Sequence, residues 1–243
     1  MFRSEAALYP LKTLDLSEMD ALVIAPHPDD ESIGCGGCIA KHVKAGRKVK
    51  IIFLTDGGKG DFNGIYGRDY LQLRRQSTCN AMEALGVEDF VFWAYGDREL
   101  YYVIDQIEER LFQTMNTSHA ESLVYVPSPF EAHPDHRASF IALWKLRKRL
   151  PISIAAYEVL IPLYPNILVD ITDVVQYKKK AIESYYTELY YNDYLSKILG
   201  LNRFRTAVLP KESLYAEALI YINKNENYNK GFVFDILNAA LLY

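Results

Sequence analysis

ALVIAP (21–26) is an unbroken apolar run closed by a proline, and VKIIFLT (49–55) repeats it with β-branched residues. Runs this short, without polar alternation, read as strands buried on both faces. DFVFWAY (89–95), SLVYVPS (122–128) and ISIAAYEVL (152–160) read the same way, and NILVDIT (166–172) reads as a short sixth strand. Between them lie helical stretches. Ser32 to Ala45 stops at Gly46, and Tyr70 to Leu85 stops at Gly86, each glycine placed where a helix C-cap sits. Ile104, Ile107, Leu111 and Met115 make one apolar stripe on a helix over 102–115, and another helix is predicted from His136 to Arg149. Strand and helix alternate at βαβ spacing, which predicts a Rossmann-like, three-layer α/β/α fold with a mainly parallel sheet. Beyond Asp173 the pattern gives a helix over 174–191, a basic turn around Asn202 to Arg205, and a strand near EALIYIN (217–223). No linker, low-complexity tract or repeat interrupts the chain, so one domain over 1–243 is expected.

A net charge of −4 gives no positive field to draw in nucleic acid. No segment reaches the roughly 20 apolar residues of a membrane helix, and the N-terminus lacks the pattern of a signal peptide. Three cysteines are an odd number for a disulfide framework. A reduced, cytoplasmic setting without membrane insertion is the expectation.

The chemistry concentrates in two loops. APHPDDE (25–31) follows the first strand and SPFEAHPDH (128–136) follows the fourth, at the carboxyl ends where such sheets bind ligands. His27 and Asp30 are three residues apart as the chain enters a helix, a spacing that can aim both side chains one way. Imidazole and carboxylate together suit zinc and similar divalent metals. With a third ligand from the second loop, they would leave a position open for water. Each loop also has a plain reading, as a turn or a helix cap. Two such loops at two strand ends favour a site.

The two blocks resemble the motifs of the LmbE-like, or PIG-L, family of metal-dependent N-deacetylases: HPDDE at 27–31 and HPDH at 133–136. Supporting matches are Gly36-Gly37, Thr55-Asp56-Gly57, Leu85-Gly86-Val87 and Ala216-Glu217-Ala218. The resemblance implies hydrolysis of an acetamide on an N-acetylglucosamine-type sugar, usually with Zn2+, although Fe2+ or another divalent metal would also suit the ligands. It assigns metal ligation to His27, Asp30 and His136, the general base to Asp29 and oxyanion stabilisation to His133. Arg74 and Asp97 match sugar-contacting positions. Two departures bear on substrate contacts: Ser77 replaces a frequent glutamate three residues after the arginine, and Arg98 replaces a frequent glycine after the acid. The partner class is an N-acetylated sugar, nucleotide sugar or glycolipid.

Such a mechanism is physically sound. A divalent ion lowers the pKa of a water it holds towards about 7 and polarises a carbonyl. Asp29 can take the water's proton and pass it to the departing amine, a protonated His133 can stabilise the oxyanion, and Asp135 can hold His133 in the needed state. Glu31, in the first helical turn, suits the helix dipole. The alternatives are a non-catalytic, metal-containing sugar-binding module, or another metal-dependent hydrolase.

Weaker signals have plainer readings. Cys35 and Cys38 read as small residues where a glycine-rich helix packs on the sheet, His42 and His119 as surface residues, and Lys178 to Lys180 as a solvated helix face. The segment YYTELYYNDY (185–194) fits helix packing, a homo-oligomer surface or a sugar-stacking platform, the first two being favoured. The Gly-rich stretch 56–69 reads as a long mobile loop, of a length that is usually functional or disordered. Arg203 and Arg205 suit either the surface or an anionic ligand such as a nucleotide diphosphate.

Overall fold

Five consecutive parallel strands carry the fold's working edge. The computed structural model describes residues 12–116 and 123–225. Its strands are β1 (Lys12–Thr13), β2 (Ala21–Ala25), β3 (Val49–Thr55), β4 (Asp89–Tyr95), β5 (Leu123–Pro127), β6 (Ser153–Tyr157), β7 (Ile167–Asp170) and β8 (Ala216–Ile222). They form one sheet in the order β1-β7-β8-β6-β5-β2-β3-β4. β8 runs antiparallel to both of its neighbours, and every other pairing is parallel. The crossovers are α1 (Asp30–Lys44), α2 (Tyr70–Leu85), α3 (Ile104–Asn116) and α4 (Pro134–Leu146). The apolar runs are buried as expected: β2, β5 and β6 have no residue outside the buried class. Two apolar clusters result, one on each face of the sheet. The first gathers Val23, Phe53, Tyr125 and Tyr157 with α1 and α2, and the second gathers Ile24, Leu54, Val126 and Ala156 with α3 and α4. No helix among the described residues is long and apolar enough to cross a membrane.

α1 makes its closest approaches to neighbouring elements at glycines. A Cβ at Gly34 would lie 2.1 Å from the Tyr157 ring, and one at Gly37 would lie 2.6 Å from Ile171. Cys35 and Cys38 are buried free thiols in that packing. The helix bends at Cys35, where φ is −139°. Glu217 of β8 accepts from the Gly37 and Cys38 amides at 2.8 Å each, and Lys178 donates to Ile33 O at 2.8 Å and to Glu217 at 2.6 Å.

The C-terminal third departs most from expectation. The helix predicted over 174–191 is two helices, α5 (Val175–Ser184) and α6 (Tyr186–Leu189). Tyr185 breaks it with ψ 52°, and its buried hydroxyl donates to Glu31 at 2.7 Å. The basic turn around Asn202 is the end of another helix, α7 (Tyr194–Phe204), capped by Asp193 and carrying Arg203 where the dipole favours a cation. Lys178 is fully buried rather than solvated, because it faces Glu217. His42 is also buried. One ring nitrogen lies 2.8 Å from Met19 O and the other 3.0 Å from the Tyr125 hydroxyl, and burial holds its pKa below the usual value. Its period on α1 turns it inward against β5. His119 lies outside the described residues. Arg205 is spent internally, its Nε 3.2 Å and Nη2 2.5 Å from Glu158, with Nη2 also donating to Leu163 O. The loop after β3 is organised rather than open. Asp61 accepts from the amides of Ile65, Tyr66 and Gly67 and from the Tyr191 hydroxyl.

Candidate active site

Loops at the carboxyl ends of β2, β3, β4, β5 and β6 converge on one cavity of about 120 Å3. Pro26 anchors the first loop, since its carbonyl accepts from both the amide and the hydroxyl of Thr55. Past it, Asp29 caps α1 with φ 126° and ψ −29°, a conformation side chains rarely adopt. Its amide donates to Glu31 at 3.0 Å. Glu31 is wholly buried, and it also accepts from Ser32 and Tyr185. That is a structural role, achieved through hydrogen bonds as well as by placement in the first turn.

One oxygen of Asp30 is ringed by nitrogen: the His27 amide at 2.9 Å, His27 Nδ1 at 3.2 Å and His136 Nε2 at 3.3 Å. The far nitrogen of each imidazole meets a buried carboxylate. His27 Nε2 lies 3.2 Å from Asp135 and 3.3 Å from Asp97, and His136 Nδ1 lies 3.4 Å from Glu131. Carboxylates behind imidazoles fix the tautomer and raise the ring's basicity. His133 stands equally near: ring nitrogens of His27, His133 and His136 lie within 4.8 Å of one another. Distance among the rings does not separate the three; the carboxylate at ion-pair distance from the far nitrogen of His27 and of His136 does. His133 Nδ1 accepts the Asp135 amide at 3.1 Å, as the cap of α4, and among the described residues no carboxylate comes within ion-pair distance of its ring, although Asp97 and Asp135 lie within 4.8 Å. Two imidazoles and a carboxylate, each backed or buried, with no thiol in the group, fit a borderline divalent ion.

Burial opposes charge on His27, but its contacts with Asp135, Asp30 and Asp97 win, and its pKa rises well above the usual value. Burial likewise opposes His136, and Asp30 and Glu131 carry it up to about 9. Burial and the charges of His27 and His136 push His133 down to about 4. With Nδ1 already accepting the Asp135 amide, a neutral His133 carries its proton on Nε2 and can still donate. Burial raises Asp29 well above the carboxylate range, with Asp30, Glu188 and Glu31 adding to it and Arg74 opposing. Asp135 does not hold His133 through its carboxylate as expected. That group accepts from the Arg98 and Leu100 amides at 2.7 and 3.1 Å and faces His27 instead.

Arg74 and Asp97 line the cavity, but both point inward. Arg74 Nη1 lies 2.8 Å from Glu188 and 3.5 Å from Asp29. A Cβ at residue 57 would come within 2.8 Å of Arg74 Nη2, and Gly57 has φ 68°, so glycine serves that turn twice over. Asp97 accepts the Lys59 amide at 2.8 Å while facing His27, and despite burial these contacts hold it at about 2. Glu188, Glu131, Lys59 and Phe62 were missed from sequence. Glu131 had a signal in its place two residues before His133. Glu188 had only an indirect one, since Ser77 left the buried arginine without its expected acid.

The chain matches the model of the family described as "PIG-L: GlcNAc-PI de-N-acetylase" over residues 22–146. It is 34% identical over 183 residues to a diacetylchitobiose deacetylase of Thermococcus kodakarensis, covering 68% of each chain. It is 30% identical over 143 residues to a probable N-acetyl-alpha-D-glucosaminyl L-malate deacetylase 2 of Bacillus cereus, covering 55% of this chain and 63% of the relative. The solved N,N'-diacetylchitobiose deacetylase of Pyrococcus horikoshii, in complex with an inhibitor, superposes with a TM-score of 0.73 at 26% identity, over 85% of this chain and 84% of that one. A family model spanning half the sequence, on a fold shared with a solved deacetylase, places the chain in the PIG-L (LmbE-like) family.

Proposed function

We propose that this chain hydrolyses the acetamide of an N-acetylglucosamine-type sugar or its conjugate, with a divalent ion, zinc by preference, as a soluble cytoplasmic enzyme. The observation that carries the reading is Asp29, a carboxylate lining the cavity beside the His27–Asp30–His136 cluster and not bonded to either imidazole. A non-catalytic binding module has no use for it. In this reading His27, Asp30 and His136 would hold the ion, which would supply polarisation of the acyl oxygen and a more acidic water. Asp29 takes the water's proton and returns it to the leaving amine, with Arg74 keeping the carboxylate oriented. His133 donates from Nε2 to the developing oxyanion. The cavity's lining runs from the buried cluster to the exposed Phe62 and Leu160, and in this reading the acetamide lies at the cluster and the sugar ring toward those two.

The test is acetate release from a panel of N-acetyl sugars, nucleotide sugars and glycolipids, run on wild type and Asp29→Asn. Asparagine keeps the shape and cannot take a proton, so turnover should fall by roughly 10²–10⁴-fold with the ion retained. Wild-type activity should fall on the acid side as Asp29 protonates, at a pH shifted upward by its burial, and the variant's residual rate should lack that limb. A variant as fast as wild type would remove Asp29 from the base role.

A further inference from the structure

Asp97 and Arg98 are neighbours in the turn after β4; Asp97 is buried and Arg98 is exposed. Asp135 accepts the Arg98 and Leu100 amides and fixes the turn, so Asp97 is directed at His27. Arg98 takes φ 63°, the left-handed region that glycine enters freely and a long side chain does not. Its exposed side chain lines the mouth of the cavity. Its neighbours there are a ring and a carbonyl: the guanidinium lies 5.1 Å from the centroid of Phe62, and Nη2 lies 3.4 Å from Lys59 O. Lys59 is spent, donating to Asp97 O and to Glu99 at 3.1 Å. Arg98 has no ion-paired carboxylate among the described residues. The other cavity arginine, Arg74, is held between Glu188 and Asp29.

We propose that Arg98 is a specificity-determining residue that binds an anionic group, a carboxylate or a phosphate ester, on the substituent attached to the sugar. This rests on the deacetylase reading for the sugar's position. With Nη2 donating to Lys59 O and the guanidinium carbon over the exposed Phe62 ring, the remaining N–H groups are left to meet the oxygens of either anion. The turn sets them at the cavity mouth, where the part of the substrate beyond the acetamide must lie. A backbone that disfavours a side chain at residue 98 carries a cation that acts on buried Asp97 only at a distance, and ligand binding gives it a direct partner.

The probes are the methyl, carboxymethyl and 2-phosphoethyl glycosides of N-acetylglucosamine. Wild type should process at least one anionic glycoside with kcat/KM about tenfold or more above the methyl glycoside, as expected for one charge-assisted pair, with the gain lying in KM. The carboxymethyl and phosphoethyl arms separate the two anions. In Arg98→Gly the ratio of anionic to methyl should fall to near one, and Arg98→Lys should retain part of it. Arg98→Gly should also melt at a higher temperature than wild type, because glycine suits φ 63°. Equal handling of all three probes by wild type, or a ratio kept in Arg98→Gly, overturns the proposal. If no probe releases acetate, it is the deacetylase reading that fails. Calorimetric binding of the same three probes then judges Arg98, and it must show the same order and the same loss in Arg98→Gly.

Discussion

Asp29 combines two costs in one residue: a buried carboxylate and a backbone at φ 126°. Strain of this kind persists where the surroundings over-determine it, and it costs roughly 1–3 kcal/mol. Glu31 holds the Asp29 amide, and the Ile33 amide donates to the Asp29 carbonyl at 2.9 Å, so the peptide is fixed from both sides. The strain can be read by comparing two variants that both lack the carboxylate. At an ordinary helical position alanine is favoured over glycine by about 0.5–1 kcal/mol. Here the order should invert, with Asp29→Gly more stable than Asp29→Ala by about 1–3 kcal/mol in urea unfolding. Both remove the same carboxylate from beside Arg74 and leave Glu188 in place, so the difference reports the backbone, and alanine proving the more stable would dismiss the strain. At this scale much was legible. The spacing of His27 and Asp30, and the distant His136, mark a common site because local geometry and strand ends decide it. The identity of what backs each ring was not. Asp135 sits next to His136 in sequence yet serves His27, a pairing that exists only once β2 and β5 lie side by side.

The bent helix α1 supplies Asp30 at its first turn and is held from behind by two elements far along the chain. Lys178 of α5 and Glu217 of β8 form a wholly buried pair against Ile33, Gly37 and Cys38. Breaking a buried pair strands a charge, at a cost of about 3–5 kcal/mol. Lys178→Met should therefore destabilise by about that much in urea unfolding. Lys178→Met with Glu217→Gln should lose clearly less than the sum of the two single variants, because neither charge is then left alone. Additive losses would mean that the pair is not coupled. Sequence showed the glycine-rich helix, and the close approaches at Gly34 and Gly37 are the reason for its composition. Lys178 could not be placed, since three successive lysines look alike until an acid on another element selects one. The break at Tyr185 was hidden for the same reason. Helical period runs through it, and only the demand of Glu31 for a hydroxyl turns the chain aside.

Across the whole molecule, the candidate ligands join the loops after β2 and β5, so an ion held there ties two layers of the fold together. Ligand that binds only the folded state stabilises it, by about 2.7 kcal/mol at a hundredfold excess over Kd. A chelator should lower the melting temperature, zinc should restore it, and metal analysis should find one ion per chain. His136→Ala should lose both the ion and the response, and His133→Ala should keep both while losing turnover. The reverse pattern would exchange their roles. The parallel half of the sheet was legible from βαβ spacing, whereas the position of β8 was not, because an apolar run carries no direction. That position bears on how the chain is made. β8 lies between β6 and β7 and pairs with both, although it follows them in sequence by more than forty residues. A ribosome delivers every residue lining the cavity before it delivers residues 216–222, and until then the edges of β6 and β7 that β8 pairs in the fold have no strand to pair with. The enzyme's chemistry is thus complete in sequence before its architecture can close, and nascent chains depend on a late strand insertion to protect two sticky edges.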